Sequence, residues 1–204
     1  MKINQIESYL DELFPNPKCE LNYNKDYELL ISVVLSAQTT DKRVNSVTEV
    51  LFKKYDTLEK LAKAKINDII DIIRSIGSFR KKALYIHDIS KRLIDEFGGQ
   101  VPNDFNKLQE FSGVGRKTAN VVLSNLYNVP AIAVDTHVER VSKRLGLAKK
   151  SDTVLQVEEK LMKKFKRGVW TRRHHQMVLF GRYYCKAVKP ECTACKLKEI
   201  CKYK

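Results

Sequence analysis

Apolar residues recur at helical spacing through almost the whole of this 204-residue chain. Spacings of three and four put such residues on one face of a helix, whereas the alternation expected of strands is nowhere sustained. The five prolines and most glycines fall between the apolar stripes, where they end helices or form turns. The pattern predicts an all-α fold of about ten short helices. Three stripes are clear: Ile3, Ile6, Leu10, Leu13 and Phe14; Leu29, Leu30, Val33 and Val34; and Val121, Val122, Leu123 and Leu126.

The positive charge is concentrated in the last third of the chain. Residues 1–129 contain 19 basic and 17 acidic side chains, whereas residues 130–204 contain 19 basic and 7 acidic ones, so this last third carries +12 of the net +14. Clustered cations bind polyanions by displacing counterions from phosphates, although a surface tuned for solubility would have a similar composition. The shift in charge near Pro130 is also the best signal of a domain boundary.

Nothing in the sequence predicts a membrane segment. No window has 18 uninterrupted apolar residues, and residues 1–14 mix Lys2, Glu7, Asp11 and Glu12 into their apolar stripe. We therefore expect a cytoplasmic protein, associated with the nucleoid if the source is prokaryotic. Cys19 stands apart from the other cysteines and is most simply a reduced, structural thiol.

A glycine-rich turn at residues 113–115 is the first candidate binding element. A helix ending near Phe111, a tight turn through Gly113, Val114 and Gly115, and a new helix from about Arg116 would direct successive backbone N–H groups at a phosphate. Glycine suits these positions because a side chain would hold the anion away. Taken alone, the same pattern also fits an ordinary turn.

Lys117 and Asp135 are the candidate chemical groups beside this turn. Lys117 falls in the first turn of the predicted helix, where the macrodipole and neighbouring Arg116 favour the free amine that a nucleophile requires, whereas a nearby carboxylate would favour the charged form. Asp135 could accept a proton, orient the lysine or stabilise positive charge on a sugar ring. The alternatives are a solvated lysine and an aspartate that only caps the helix containing Val138 and Val141.

Four cysteines close to the C-terminus, spaced C-x6-C-x2-C-x5-C, are the candidate metal ligands: Cys185, Cys192, Cys195 and Cys201. Four thiolates within such a short segment can bind a tetrahedral zinc ion or an iron–sulfur cluster. Only the central pair has the spacing of a zinc knuckle, which favours the cluster, with zinc, disulfides and free thiols left open. Lys186 and Lys189 lie between the first two cysteines, so a metal centre here would brace a basic loop.

Together these motifs resemble the endonuclease III family of DNA glycosylases, within the helix-hairpin-helix superfamily, over essentially the whole chain. The matching stretches are residues 35–41, 113–122 and 132–137, His175 with residues 181–183, and the four cysteines. The resemblance implies a two-lobed all-α fold. It predicts a helical barrel at residues 20–129, with the helix-hairpin-helix motif at about 108–128. Residues 1–19 and 130–204 would form the second domain, which carries a cluster loop at residues 185–201.

The resemblance also implies a function in base excision repair. The protein would be a monomer that acts on double-stranded DNA, removes oxidised pyrimidines and cleaves abasic sites, with no membrane partner. Lys117 would attack C1′ of the damaged nucleotide, expel the base and form a Schiff base that undergoes β-elimination, and Asp135 would assist it. Cys185, Cys192, Cys195 and Cys201 would hold a [4Fe–4S] cluster.

A glycosylase must extrude its target base from the stack, and the resemblance implies which residues contact the DNA. Gln38 would fill the vacated space, although it could instead be an ordinary polar residue at the C-terminus of a helix. The full set of expected contacts is Gln38, Asp41, Phe79, Gly113, Val114, Gly115, Arg116, His137, Lys186 and Lys189.

The chain departs from the family pattern at three places. Ser78 and Phe79 stand where the family usually has a leucine wedge and a tyrosine, so the wedge is missing unless Phe79 takes it over through a small shift of the loop. Ser112 replaces a proline, and Gln109 replaces a glutamate.

Two rival functions are disfavoured. A monofunctional adenine glycosylase would lack Lys117. A non-catalytic DNA-binding or redox protein would need neither Lys117 nor Asp135.

Overall fold

The computed structural model describes residues 2–203. Within this range the chain forms eleven α-helices and two 3₁₀ turns and has no strand, which confirms the all-α prediction. No helix in the same range is long and apolar enough to cross a bilayer. The helices are α1 Lys2–Leu13, α2 Asp26–Leu35, α3 Asp41–Lys54, α4 Leu58–Ala62, α5 Ile66–Ile73, α6 Phe79–Phe97, α7 Phe105–Gln109, α8 Arg116–Leu126, α9 Thr136–Arg144, α10 Val154–Lys164 and α11 Trp170–Tyr183, with 3₁₀ turns at Arg167–Val169 and Lys198–Ile200.

The chain divides into two compact units. The internal unit is Glu20–Tyr127, and the terminal unit combines Met1–Cys19 with Asn128–Lys204. Each unit has its own buried apolar residues, so each can be described by itself.

The internal unit is built around α2, whose apolar side chains are buried on all faces. Leu29, Leu30, Ile31 and Leu35 are fully buried, and α2 packs against α3, α6 and α8. A helix that is apolar all round is stable only inside a core. The central position of α2 therefore fixes where the segments that follow it, and the starts of α6 and α8, can lie within this unit.

The terminal unit is built on the packing of α9 against α11, with α1 packed on α11. The sequence predicts the first helix but not the helix against which it packs, which the structure shows to be α11. Ile6, Tyr9 and Leu10 of α1 join the same apolar cluster as Val141 and Phe180.

A charged network ties α1 to α11 at the edge of this cluster. The Asp11 carboxylate accepts hydrogen bonds from Arg173 at 2.7 Å, Gln176 at 2.9 Å and Arg172 at 2.8 Å. These bonds, that from Arg173 most of all, hold the pKa of Asp11 well below its usual range. Since its pKa is depressed in the folded state, Asp11 stabilises the fold above the ordinary carboxyl pKa, and this contribution is lost as the pH falls below it.

Candidate active site and cysteine loop

The glycine turn in the internal unit has the geometry of a helix-hairpin-helix. The first helix, α7, ends at Gln109, two residues before the expected position, and α8 begins at Arg116 as expected. The N–H of Val114 donates to the carbonyl of Phe111 at 3.1 Å and closes the turn. Sequence reasoning therefore located this turn correctly.

The two glycines of the turn are needed for different reasons. Gly113 has a φ of +81°, and a Cβ atom there would lie 2.4 Å from the ring of Tyr85. Gly115 has a φ of −96°, and a Cβ atom there would meet no atom within 4 Å. The fold thus requires glycine at position 113, whereas at position 115 a side chain would only obstruct what approaches from outside.

The side chains of the turn are unequally accessible. Gly113, Gly115 and Arg116 are exposed, whereas Val114 is buried. The Arg116 guanidinium lies 5.3 Å from the centroid of the Phe105 ring. Lys117 is half-buried in the first turn of α8, which puts a primary amine beside the exposed turn.

Asp135 is the N-cap of α9 in the terminal unit. Its Oδ1 accepts a hydrogen bond from the N–H of Val138 at 2.8 Å, as the capping alternative predicts. A carboxylate has two oxygens and about four acceptor positions, so one capping bond leaves capacity for chemistry. The side chain is half-buried.

His137 and Arg140 lie on α9 just after this cap. Arg140 Nη2 lies 3.2 Å from His137 Nδ1 and donates to the carbonyl of Gly181 at 2.7 Å, while its Nε donates to the carbonyl of Cys185 at 3.0 Å. Burial lowers the pKa of Arg140. A Cβ atom at Gly181 would lie 2.9 Å from the Cβ of His137, so only glycine allows α11 to approach α9 this closely.

Sequence reasoning missed Arg140. The only signal was its position five residues after Asp135, which by itself does not distinguish it from a solvated arginine.

The four cysteines are free thiols that line one cavity of the terminal unit. Burial, and to a smaller extent the nearness of the other three cysteines, raises the pKa of the Cys195 thiol. Among residues 2–203, no three His, Cys, Asp or Glu side chains converge closely enough to hold a single metal ion.

Arg144, at the end of α9, supports the cysteine loop and was also missed. Its Nη1 lies 3.4 Å from Cys185 Sγ and donates to the carbonyl of Lys186 at 2.6 Å. Its guanidinium also lies 3.8 Å from the ring centroid of Tyr203. A single arginine therefore connects α9, the first cysteine and the segment that follows the last one.

The two lysines of the loop differ in their surroundings. Lys186 Nζ forms an ion pair with Glu191 Oε1 at 2.8 Å, and this ion pair lowers the pKa of Glu191. Lys189 is exposed and has a φ of +49°. Both were predicted to contact DNA, and Lys189 is the more accessible of the two.

The residues expected to probe the duplex lie in two exposed turns of the internal unit. Gln38 lies in the turn that follows α2, three residues beyond its end, and has a φ of +56°. Asp41 opens α3. Ser78 is exposed with a φ of +56°, and Phe79, partly buried, is the first residue of α6.

Comparisons with known proteins agree with this geometry. The sequence model described as "HhH-GPD superfamily base excision DNA repair protein" matches residues 31–167. The endonuclease III of Bacillus subtilis (strain 168) is 47% identical over 205 residues, which cover 99% of this chain and 94% of the relative. That of Escherichia coli (strain K12) is 40% identical, with 98% of this chain and 94% of the relative covered.

Solved structures agree as well. A trapped covalent intermediate of an endonuclease III with DNA superposes with a TM-score of 0.94 and 48% identity, covering 98% of this chain and 95% of that one. A thermostable thymine-DNA glycosylase has a TM-score of 0.85 at 22% identity, which shows the fold alone. By its sequence and its fold, the chain belongs to the endonuclease III family, within the HhH-GPD superfamily of base excision DNA repair proteins.

Proposed function

We propose that this protein is a bifunctional DNA glycosylase and abasic-site lyase of base excision repair, which removes oxidised pyrimidines from double-stranded DNA and cuts the strand through a lysine Schiff base. Membership of the endonuclease III family supports the repair activity. The observation that carries the lysine mechanism is the half-buried Lys117 amine, which directly follows the exposed glycine turn.

The turn supplies the site for the DNA backbone. Backbone N–H groups at the start of α8 carry the positive end of the helix macrodipole and bind phosphate oxygens well. Gly115 contributes no side chain, so a phosphate can approach the N–H groups of the first turn. Arg116 adds a positive charge at the same place.

Lys117 then performs the chemistry at the sugar. Its amine forms a bond to C1′ while the glycosidic bond breaks and the base leaves with the bonding electrons. The adduct nitrogen loses a proton, and the C1′–O4′ bond breaks with its electrons going to O4′, which is protonated, so that the sugar ring opens and a Schiff base forms. Loss of a C2′ proton then expels the 3′ phosphate by β-elimination. Asp135 is the carboxylate that assists Lys117 and stabilises positive charge on the sugar, while its Oδ1 also caps α9.

Cys185, Cys192, Cys195 and Cys201 would hold a [4Fe–4S] cluster. The donor set fits such a group, since all four side chains are free thiols facing one cavity and Arg144 brings a positive charge to the sulfur of Cys185. A cluster takes one thiolate on each iron, so its ligands surround a cavity rather than converge on one ion. When bound, the cluster would act as a structural cross-link that braces the loop containing Lys186 and Lys189.

The activity is tested by borohydride trapping over a panel of lesions. Wild-type protein should form a covalent adduct with duplex DNA that contains an oxidised pyrimidine or an abasic site, since borohydride reduces the Schiff base. Lys117→Ala should form none, whereas Lys91→Ala, which removes an exposed lysine of α6, should trap normally. An adduct retained by Lys117→Ala would refute the assignment of the nucleophile.

The cluster is tested separately by absorbance and metal analysis. The purified protein should be yellow-brown, with about four irons per chain. A colourless protein with stoichiometric zinc would overturn the cluster and leave the proposed lysine chemistry untouched.

A further inference from the structure

One buried ammonium group in the internal unit has no part in the proposed chemistry. Lys82, in the first turn of α6, is only 5% exposed. Its Nζ donates to the carbonyl of Leu35 at 2.9 Å and to that of Ala37 at 2.6 Å, and it lies 3.3 Å from the hydroxyl of Thr39. A buried charge is costly unless it is hydrogen-bonded, and this one uses its three donors on a single short segment.

That segment contains Gln38. Two of the three acceptors of Lys82, the carbonyl of Ala37 and the hydroxyl of Thr39, are on the residues immediately before and after Gln38. The ammonium therefore holds the backbone carbonyl before Gln38 and the side-chain hydroxyl after it, while the Gln38 side chain stays exposed.

Lys82 also lies close to the second exposed turn along the chain. Its N–H makes the ordinary i→i−4 bond of α6 to the carbonyl of Ser78, at 3.0 Å. The two turns are neighbours, since a Cβ atom at Gly77 would lie 3.9 Å from the carbonyl oxygen of Gln38. The side chain of Lys82 thus links the first turn of α6, which directly follows Ser78, to the Gln38 turn.

Both turns contain a strained backbone. Gln38 and Ser78 each have a φ of +56°, a region that residues other than glycine seldom adopt. Such a conformation costs free energy and persists only where surrounding contacts enforce it, and residues of this kind cluster at functional sites. The hydrogen bonds of Lys82 provide that enforcement for Gln38.

We propose that Lys82 is a positioning residue that holds the Gln38 turn and the Ser78 turn together as one rigid edge, and that this edge drives extrusion of the target base. This inference rests on the proposed glycosylase function. It also addresses the missing leucine wedge, because an edge formed by two fixed turns does not depend on a single apolar side chain at position 78.

The test separates base extrusion from chemistry. Lys82→Met keeps the length and apolar stem of the side chain but removes the ammonium. It should lower the single-turnover rate on a paired lesion in duplex DNA by about tenfold or more, because small misplacements of positioning groups have effects of this size. The rate of cleavage at an abasic site in single-stranded DNA, where no base has to be extruded, should stay within about twofold of wild type.

The matched control is Lys81→Met, which makes the same chemical change at the exposed neighbouring residue of α6 and should leave both rates unchanged. A 2-aminopurine base placed beside the lesion reports unstacking directly, and its fluorescence rise should slow in Lys82→Met. If a folded Lys82→Met protein loses the same share of its rate on both substrates, or keeps its full rate on both, the proposal is overturned. Wild-type protein inactive on both substrates would instead refute the proposed function.

A gentler variant keeps the proposal testable if Lys82→Met does not fold. Thr39→Val removes only the weakest of the three acceptors, so it should produce the same selective defect on duplex DNA at a reduced size, about twofold to threefold. The defect should also fail to add to that of Gln38→Ala, because both changes act on one element. Full additivity would show that this contact does not act through Gln38.

Discussion

The helices α8 and α9 begin with nearly the same backbone geometry but use it in opposite ways. The N-cap of α8 is Gly115, with φ −96° and ψ −178°, and that of α9 is Asp135, with φ −100° and ψ −176°. Asp135 fills its own helix start by accepting the N–H of Val138. Gly115 has no side chain with which to do so, and the N-cap of α8 therefore makes no side-chain capping bond.

The difference shows how one local conformation serves two functions. A helix N-terminus needs a negative or polar partner for its first N–H groups. At α9 the partner is the carboxylate of Asp135, and the capping bond also fixes the position of this carboxylate. At α8 we propose that a DNA phosphate supplies it, which would bring the adjacent Lys117 to the DNA.

The largest expected effect comes from removing only the charge of Asp135. Asparagine caps a helix as well as aspartate does, so Asp135→Asn should leave the melting temperature nearly unchanged. Glycosylase turnover should nevertheless fall by about 100-fold or more, since the group that assists the lysine is lost. Single-turnover kinetics and a thermal melt measure the two effects side by side. Unchanged turnover would reduce Asp135 to a cap.

Gly113→Ala should damage the turn itself. Alanine at a φ of +81° is strained, and its Cβ would overlap the Tyr85 ring, so we expect a loss of about 2 kcal/mol or more in the free energy of unfolding. Urea denaturation measures it. A loss below about 0.5 kcal/mol would show that the turn adapts easily and that glycine is not required there.

Gly115→Asp gives α8 the same kind of start as α9. The new side chain has open space and can cap the helix, so stability should be equal or slightly higher. Affinity for DNA should fall by about tenfold, because the carboxylate competes with the phosphate and repels it. Gly115→Ser provides a neutral cap, which occupies the helix start without repelling the phosphate. Its affinity for DNA should lie between those of the wild type and Gly115→Asp. Unaltered binding by both variants would remove the start of α8 from the DNA interface.

The two lysines of the cysteine loop also differ in whether their partner lies inside or outside the protein. We expect their replacement to have the smallest effect of these changes. Lys186 has Glu191 as a partner within the loop, whereas Lys189 is exposed. Lys189→Ala should therefore lower the salt dependence of DNA binding by about one unit of slope. Lys186→Ala should change it less, and a larger change for Lys186 would reverse this order.

The parts of the molecule that the sequence predicts are those determined by neighbours in the chain. Gly113 and Gly115 mark a turn, the apolar stripe of residues 121–126 marks a helix, and their order predicts where α8 begins. The capping alternative for Asp135 is likewise a local pattern, and the structure contains that cap. Each depends on residues a few positions apart, where spacing and propensity determine the conformation.

Contacts between distant residues could not be predicted in the same way. Lys82 meets the carbonyl of Leu35 across 47 positions of sequence, and Arg144 meets Cys185 across 41. In a chain with 38 basic residues, spacing gives no reason to single out either one. The left-handed backbone at Gln38 and Ser78 could not be predicted from the sequence either, because neither residue is a glycine and tertiary contacts impose the conformation.

The most direct test of the account is to identify which residue bonds to DNA. Wild-type protein is trapped with borohydride on duplex DNA that contains an abasic site, digested, and the modified peptide is sequenced by mass spectrometry. We predict that the sugar remnant is attached to Lys117, two residues after Gly115. Attachment to any other amine would contradict the account, because α8 would then not bring the nucleophile to the DNA.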